Sequence, residues 1–372
     1  MRKKIPVASP SFAGNEKKYV MDCMDTGWIS SAGKYVGEFE AKFAVYCNVK
    51  NALTCSNGTV ALHLALRAYG IGPADEVIVP TLTYIATANA ITYCGAIPVF
   101  VDIDPDTWNI DPGKIEEKIT PRTKGIIVVH IYGHPVDMDP ILKISKKHNL
   151  FVIEDAAEAH GALYKNQVVG GIGDIGTFSF FGNKLITTGE GGMVATNNDE
   201  LAAKIRLLKG QGVDPERRYW FPIVGYNYRM TNIQAAIGLA QLEKISWHIK
   251  RRRQVADLYY KHLGGLDDFI ILPVEKEWAK NSFWMFTIIL KDTVKMSRDQ
   301  FMDELQKDGI ETRPVFHPMH VLPPYRDLQK GDHFPVADTI SSRGLNIPTH
   351  ANLSAADIEY VCGAIRKLLS RS

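Results

Sequence analysis

One lysine, Lys184, stands between an apolar run and a glycine-rich turn, in Ser179-Phe180-Phe181-Gly182-Asn183-Lys184-Leu185-Ile186-Thr187-Thr188-Gly189-Glu190-Gly191-Gly192. Lysines mostly occupy solvated surface, so one delivered by a β-prone segment into small residues is a candidate for desolvated chemistry. A second apolar run, Phe151-Val152-Ile153, ends in the acidic tip Glu154-Asp155-Ala156-Ala157-Glu158. An amine that forms a Schiff base with an aldehyde, and a carboxylate that keeps a pyridine nitrogen protonated, are what pyridoxal 5′-phosphate (PLP) asks of a protein. Lys184 is the candidate for the first role and Asp155 for the second.

The same cofactor needs a seat for its phosphate. Cys55-Ser56-Asn57-Gly58-Thr59 ends one apolar run and opens an amphipathic stretch, which puts backbone N–H groups and the positive end of a helix dipole at Gly58 and Thr59. An ordinary N-cap turn uses the same residue types, but beside Lys184 and Asp155 phosphate binding is the better reading. Tyr84, at the end of another apolar run, either stacks on a flat ring or fills the core. Arg313 and His317 share a proline-bounded turn with aromatics and are candidates for the mouth of a substrate site. Arg251-Arg252-Arg253 reads as a solvated helix face, with a nucleotide diphosphate as the minority alternative. Gly171-Ile172-Gly173-Asp174-Ile175-Gly176 matches GxGxxG in letters but leads into a strand, so the dinucleotide reading fails. His130, His134, His160, His317, His320 and His350 lack zinc-type spacing with carboxylate or thiolate support, and no metal is expected.

These residues need a frame. Short apolar runs at 52–55, 76–79, 98–101, 125–129 and 151–153 alternate with helical patterns at 60–69, 84–93, 112–119 and 138–148. Further strands are expected at 177–181 and 193–196. That alternation implies right-handed βαβ units and a mostly parallel sheet covered on both faces, with ligands beyond the carboxyl ends of its strands. A charged helical stretch over 233–262 reads as a connector. Beyond it lie a strand (284–290), a helix (298–308), a strand (311–315) and a last helix (355–369). The division expected is 1–245 for the cofactor-binding α/β domain and 246–372 for the connector and a smaller α+β domain.

The 372 residues are 45% hydrophobic and 23% charged, and 43 basic against 41 acidic residues leave a net charge of +2. That near balance gives no reason to expect nucleic acid or an anionic membrane as partner. The start, Met1-Arg2-Lys3-Lys4-Ile5-Pro6, lacks the apolar stretch of a signal peptide, and no apolar segment approaches a membrane span. Five scattered cysteines without CxxC spacing fit reduced thiols in a cytoplasmic enzyme.

Four segments together resemble a known family. Ser56-Asn57-Gly58-Thr59, Glu154-Asp155-Ala156-Ala157-Glu158, the run from Ser179 to Lys184, and Gly225-Tyr226-Asn227-Tyr228-Arg229-Met230-Thr231 resemble, in order and spacing, the DegT/DnrJ/EryC1/StrS sugar aminotransferases. The resemblance extends from Trp28-Ile29-Ser30-Ser31 to Leu345-Asn346-Ile347-Pro348. It implies a PLP-dependent transferase of fold type I: α/β, with a mostly parallel seven-stranded sheet flanked by helices and a smaller α+β C-terminal domain. It also implies roles for single residues. Lys184 would be the Schiff-base lysine and Asp155 the partner of the ring nitrogen. Glu158 would lie near the ring hydroxyl and Tyr84 over the ring face. Gly58, Thr59 and Ser179 would hold the phosphate, and Asn227 would reach it from the second subunit of a homodimer. The sequence around Lys184 and over 210–225 resembles most the members that move the amino group of glutamate to C4 of GDP-4-keto-6-deoxy-D-mannose. A UDP- or dTDP-linked keto sugar is the alternative substrate, and a non-catalytic PLP-binding regulatory protein the alternative class. A PLP-dependent sugar dehydratase on the same scaffold carries histidine in place of the lysine, so Lys184 argues against it.

Overall fold

In the computed structural model, which describes residues 4–328 and 331–371, seven strands form a central sheet. Their order across it is Asn51–Cys55, Gly192–Thr196, Ile175–Ser179, Phe151–Asp155, Thr123–Val129, Glu76–Pro80 and Ile97–Val101. The last five pair in parallel, and Gly192–Thr196 runs antiparallel to both of its neighbours. Every residue of Glu76–Pro80 and of Ile175–Ser179 is buried, because both faces of the sheet are covered.

Alternate side chains feed two cores. Leu53, Val77, Ile127, Ile153 and Val194 pack on one side with Ala61, Leu62 and Leu66 of the helix Gly58–Ala68. Ala52, Ile78, Ile126, Val152 and Met193 pack on the other with Phe39 and Phe43 of Lys34–Cys47 and Leu239 of Asn232–Glu243. A four-stranded antiparallel sheet, in the order Ile270–Ile271, Phe286–Leu290, Gly344–Ile347, Arg313–Pro314, carries a third core against the helices Ile245–Leu263, Arg298–Lys307 and Ala355–Leu369.

The mostly parallel sheet expected from the alternation is found, with some differences. Residues 112–119 form two 3-10 turns, Pro112–Lys114 and Glu116–Lys118, because Asp111 caps the amide of Gly113 and Ile115 is the residue they bury. The connector is two helices, Asn232–Glu243 and Ile245–Leu263, meeting at Lys244. The strand expected at 311–315 shrinks to Arg313–Pro314, where the proline has no amide to give a ladder. Two N-terminal helices, Glu16–Thr26 and Lys34–Cys47, the helix Pro335–Arg343 and the strand Gly344–Ile347 add to the expected elements. Of the basic start, Met1 to Lys3 lie outside the described residues.

Candidate active site

The carboxyl ends of the parallel strands open into a cavity of about 470 Å³, closed from the other side by Trp284, Met285, Arg313 and Asn346. The strand Phe151–Asp155 ends in two acids that serve opposite sides. Glu154 is fully buried and accepts from the amides of Gly170 at 2.7 Å, Ile172 at 2.7 Å and Gly173 at 2.6 Å, with His130 Nε2 at 3.0 Å. The glycine run rejected as a dinucleotide loop therefore seats a carboxylate of the protein itself. Gly170 has φ 86°, and a Cβ there would lie 2.3 Å from the Phe178 ring. Burial pushes the Glu154 carboxyl up, but His130 and the loop amides outweigh it and hold the pKa below the usual range.

Asp155 faces the cavity. Its Oδ2 accepts from Thr87 Oγ1 at 2.9 Å and its Oδ1 from the Ala157 amide at 3.2 Å. Burial raises its pKa, and these two donors only partly oppose that. A carboxylate so desolvated is a strong partner for a cation such as a protonated pyridine nitrogen.

Lys184 closes a tight turn, its amide donating to the Phe181 carbonyl at 2.9 Å. Its side chain is only 12% exposed, with Nζ 3.8 Å from Glu158 Oε1 and 3.9 Å from the centroid of the Trp284 ring. Burial lowers the lysine pKa, while the Glu158 and Asp155 charges oppose the shift. Glu158 Oε2 accepts from the Tyr132 amide at 2.9 Å. Burial pushes this carboxyl up to about 7, against the pull of Lys184 and that amide. Burial thus moves the amine down and the carboxyl up, and a pair drawn toward each other in this way is suited to exchanging a proton, which general acid–base work requires.

The helix Gly58–Ala68 points its N-terminus at the same space. The Asn57 side chain takes the Val60 amide at 3.0 Å, and the Ala61 amide closes on the Asn57 carbonyl at 3.2 Å. Gly58 and Thr59, in the same first turn, line the cavity. A Cβ on Gly58 would lie 2.6 Å from Ser179 Cβ, so the cradle between them exists because residue 58 is glycine. A helix N-terminus beside a hydroxyl, an amine and a buried acid fits the phosphate, aldehyde and ring nitrogen of PLP.

The structure gathers Gly58, Thr59, Tyr84, Asp155, Glu158, Ser179, Lys184 and Arg313 around this one cavity. Tyr84 is mostly exposed at its mouth, its ring 5.8 Å from that of Phe316. His317 is exposed and is not among the lining residues. Asn227 is also exposed, bridged through its backbone to Gly210 and outside the cavity of its own chain. Thr87, Tyr132 and Trp284 were not legible as site residues, since only packing brings them to Asp155, Glu158 and Lys184. The solvated-face reading of the arginine triplet is corrected. Arg252 is buried, Arg251 donates to the Ala351 and Leu353 carbonyls, and Arg253 pairs with Glu275 at 2.7 Å.

Fold and cavity define an aminotransferase of PLP fold type I. Residues 10–366 match the model of the DegT/DnrJ/EryC1/StrS aminotransferase family, and the chain belongs to that family. It is 57% identical over 366 residues to a GDP-perosamine synthase of Caulobacter vibrioides, covering 98% of each chain. To the GDP-perosamine synthase of Escherichia coli O157:H7 it is 50% identical, covering 99% of each. Helicobacter pylori PseC, an aminotransferase involved in the biosynthesis of pseudoaminic acid, has the same fold with a TM-score of 0.95 at 28% identity, over the full length of both chains.

Proposed function

We propose that this enzyme transfers the amino group of glutamate to C4 of GDP-4-keto-6-deoxy-D-mannose, forming GDP-perosamine. The placement of the Lys184 amine beside the Asp155–Glu158 tip in one cavity carries the reaction class. The choice of sugar rests on relatives at 57%, 50% and 46% identity that share one name, GDP-perosamine synthase.

When bound, PLP supplies an aldehyde carbon for amine exchange and an electron-withdrawing ring. The protein supplies the rest. Gly58, Thr59 and Ser179 would hold the phosphate, and Asp155 would keep a proton on the ring nitrogen by countering its charge. Lys184, whose pKa burial lowers, takes the proton from the α-carbon of glutamate and later delivers one at C4 of the sugar. Glu158 buffers that proton from 3.8 Å away. Trp284 and Tyr132 keep water from the amine. Arg313, Tyr84 and Phe316 form the wall toward the substrate.

We read 1–245 as the cofactor-binding domain and 246–372 as the smaller domain that completes the cavity. A homodimer fits the exposed group Tyr219, Trp220, Phe221 and Val224, which lies close in sequence to Asn227. A twofold interface would bury these side chains and bring Asn227 to the partner's phosphate. Sedimentation at micromolar protein would show one species of twice the chain mass; a monomer there would remove this part. Among the described residues no helix is long and apolar enough to cross a membrane. The five buried free cysteines fit the cytoplasm.

The test is an end-point reaction of PLP-loaded protein with glutamate and GDP-, UDP- and dTDP-linked 4-keto sugars, read by mass spectrometry. An amine from the GDP-linked sugar alone is expected. Amination of a UDP- or dTDP-linked sugar in its place would overturn the substrate, and no amine from any would overturn the activity.

A further inference from the structure

Trp284 belongs to the segment that leads into the four-stranded sheet, yet it lies against the lysine of the seven-stranded one. Its indole N–H donates to the Asn183 carbonyl at 2.8 Å, and its ring lies under Lys184 Nζ at 3.9 Å. Its own carbonyl accepts from Arg252 Nη1 at 2.6 Å, and the same nitrogen reaches the Thr349 carbonyl at 2.6 Å. Arg252 is itself buried, so this brace is fixed from inside the protein.

The backbone around this contact is forced. Phe283 has φ 49° and Tyr132 φ 53°, in the left-handed region that bulky side chains rarely adopt. Between the two segments Gly133 has φ 102°, and a Cβ there would meet Ser282 Oγ at 2.8 Å and the Phe283 nitrogen at 2.9 Å. The Ser282 amide donates to the Gly133 carbonyl at 3.1 Å, and the Met285 amide to the Tyr132 carbonyl at 3.4 Å. The Tyr132 ring then stacks on Trp284, centroids 6.2 Å apart and planes 18° apart. Strained residues persist where their surroundings over-determine them, and they gather at functional sites. Here two of them, with a junction only glycine fits, set the place of one indole against one amine.

We propose that Trp284 is a positioning residue for Lys184: its indole face receives the protonated amine, and its N–H fixes the turn that carries the lysine. The face of an aromatic ring is negative, and indole binds ammonium best of the three aromatic side chains. That attraction favours the charged amine and opposes the burial that disfavours it. Lys184 can then keep a proton at Nζ between taking it and giving it back, without leaving the cavity. The inference rests on the reading of Lys184 as the proton carrier.

The experiment uses cofactor-free protein, labelled with acetic anhydride over a pH series, with acetylation of the Lys184 peptide measured by mass spectrometry. The midpoint of the labelling curve reports the ionisation of the amine and does not depend on how easily the reagent enters. Trp284→Leu keeps the site apolar and removes the ring face. Its midpoint should fall by about half to one pH unit, roughly 3- to 10-fold in the ionisation equilibrium. Trp284→Phe, which keeps a weaker ring face without the N–H, should fall by about half as much and carries the test if circular dichroism shows the leucine variant unfolded. In loaded enzyme, kcat should drop about tenfold, with KM for glutamate within about twofold. An unchanged midpoint in the variants that fold overturns the proposal. The labelling needs no sugar, so a lowered midpoint together with failure on the GDP-linked substrate would leave this inference standing and remove only the substrate reading.

Discussion

Glu154 and Asp155 are consecutive on one strand and face opposite ways, Glu154 into three loop amides and Asp155 into the cavity. The buried acid fixes the strand tip, and the tip presents the acid that lines the cavity. The placement of Asp155 thus depends on a neighbour that does not line the cavity.

Glu154→Gln should test this dependence. Its amide group would set N–H against N–H in the loop of Gly170 to Gly173, at a cost on the order of 3 kcal/mol in urea unfolding at pH 7. The pH dependence has a definite sign. Because the folded pKa of Glu154 is lowered, its contribution is present above the unfolded value and is lost as pH falls through the folded one. The difference between wild type and variant should therefore shrink below about pH 4. A constant difference across that range would contradict the ionised-seat account.

Gly58→Ala fills the cradle against Ser179, where the new Cβ would fall 2.6 Å from Ser179 Cβ. Backbone and serine must part, which would spoil the proposed phosphate seat and disturb the packing between helix and strand. The expected result is PLP affinity lower by about 10-fold or more, with the cofactor-free protein still folded and destabilised by about 1–3 kcal/mol. Titration of the cofactor-free protein by fluorescence quenching measures the first quantity. Equal affinity for PLP would remove Gly58 from the seat.

Glu158 behaves oppositely to Glu154 with pH. Its folded pKa is raised to about 7, so in cofactor-free protein its ionisation works against folding as pH climbs from the unfolded value near 4.5 through about 7. Glu158→Gln should leave stability unchanged near pH 4 and raise it by roughly 2 kcal/mol at pH 8. Thermal unfolding at the two pH values distinguishes this from a simple packing effect, which would be the same at both.

The places of Lys184, Asp155, Gly58 and Thr59 around one cavity were legible because each stands in a telling short segment: an amine in a glycine-rich turn, an acid at a strand tip, a glycine opening a helix. Ser179 came only with the family resemblance. Thr87, Tyr132 and Trp284 were not legible, since each is an ordinary residue until the chain folds back to bring it to Asp155, Glu158 or Lys184, 26 positions away at the nearest. Tyr35, Phe39, Phe43 and Cys47 do carry a helical stripe, and all four are buried on one face of Lys34–Cys47. The helix Glu16–Thr26 buries only Glu16 and Cys23, too little for a pattern to show. Arg252 misleads for the reverse reason. A run of three arginines looks solvated, yet the middle one points inward to two carbonyls whose positions only the tertiary structure sets.

The most direct test of amino transfer through Lys184 uses ¹⁵N-glutamate and the GDP-linked 4-keto sugar, with wild type and Lys184→Ala compared by mass spectrometry and NMR. Wild type should place ¹⁵N on C4 and release one 2-oxoglutarate per amine. Lys184→Ala, folded by circular dichroism, should be slower by on the order of 10³-fold or more. Transfer at the wild-type rate in Lys184→Ala, or an amine without the label, would contradict the account.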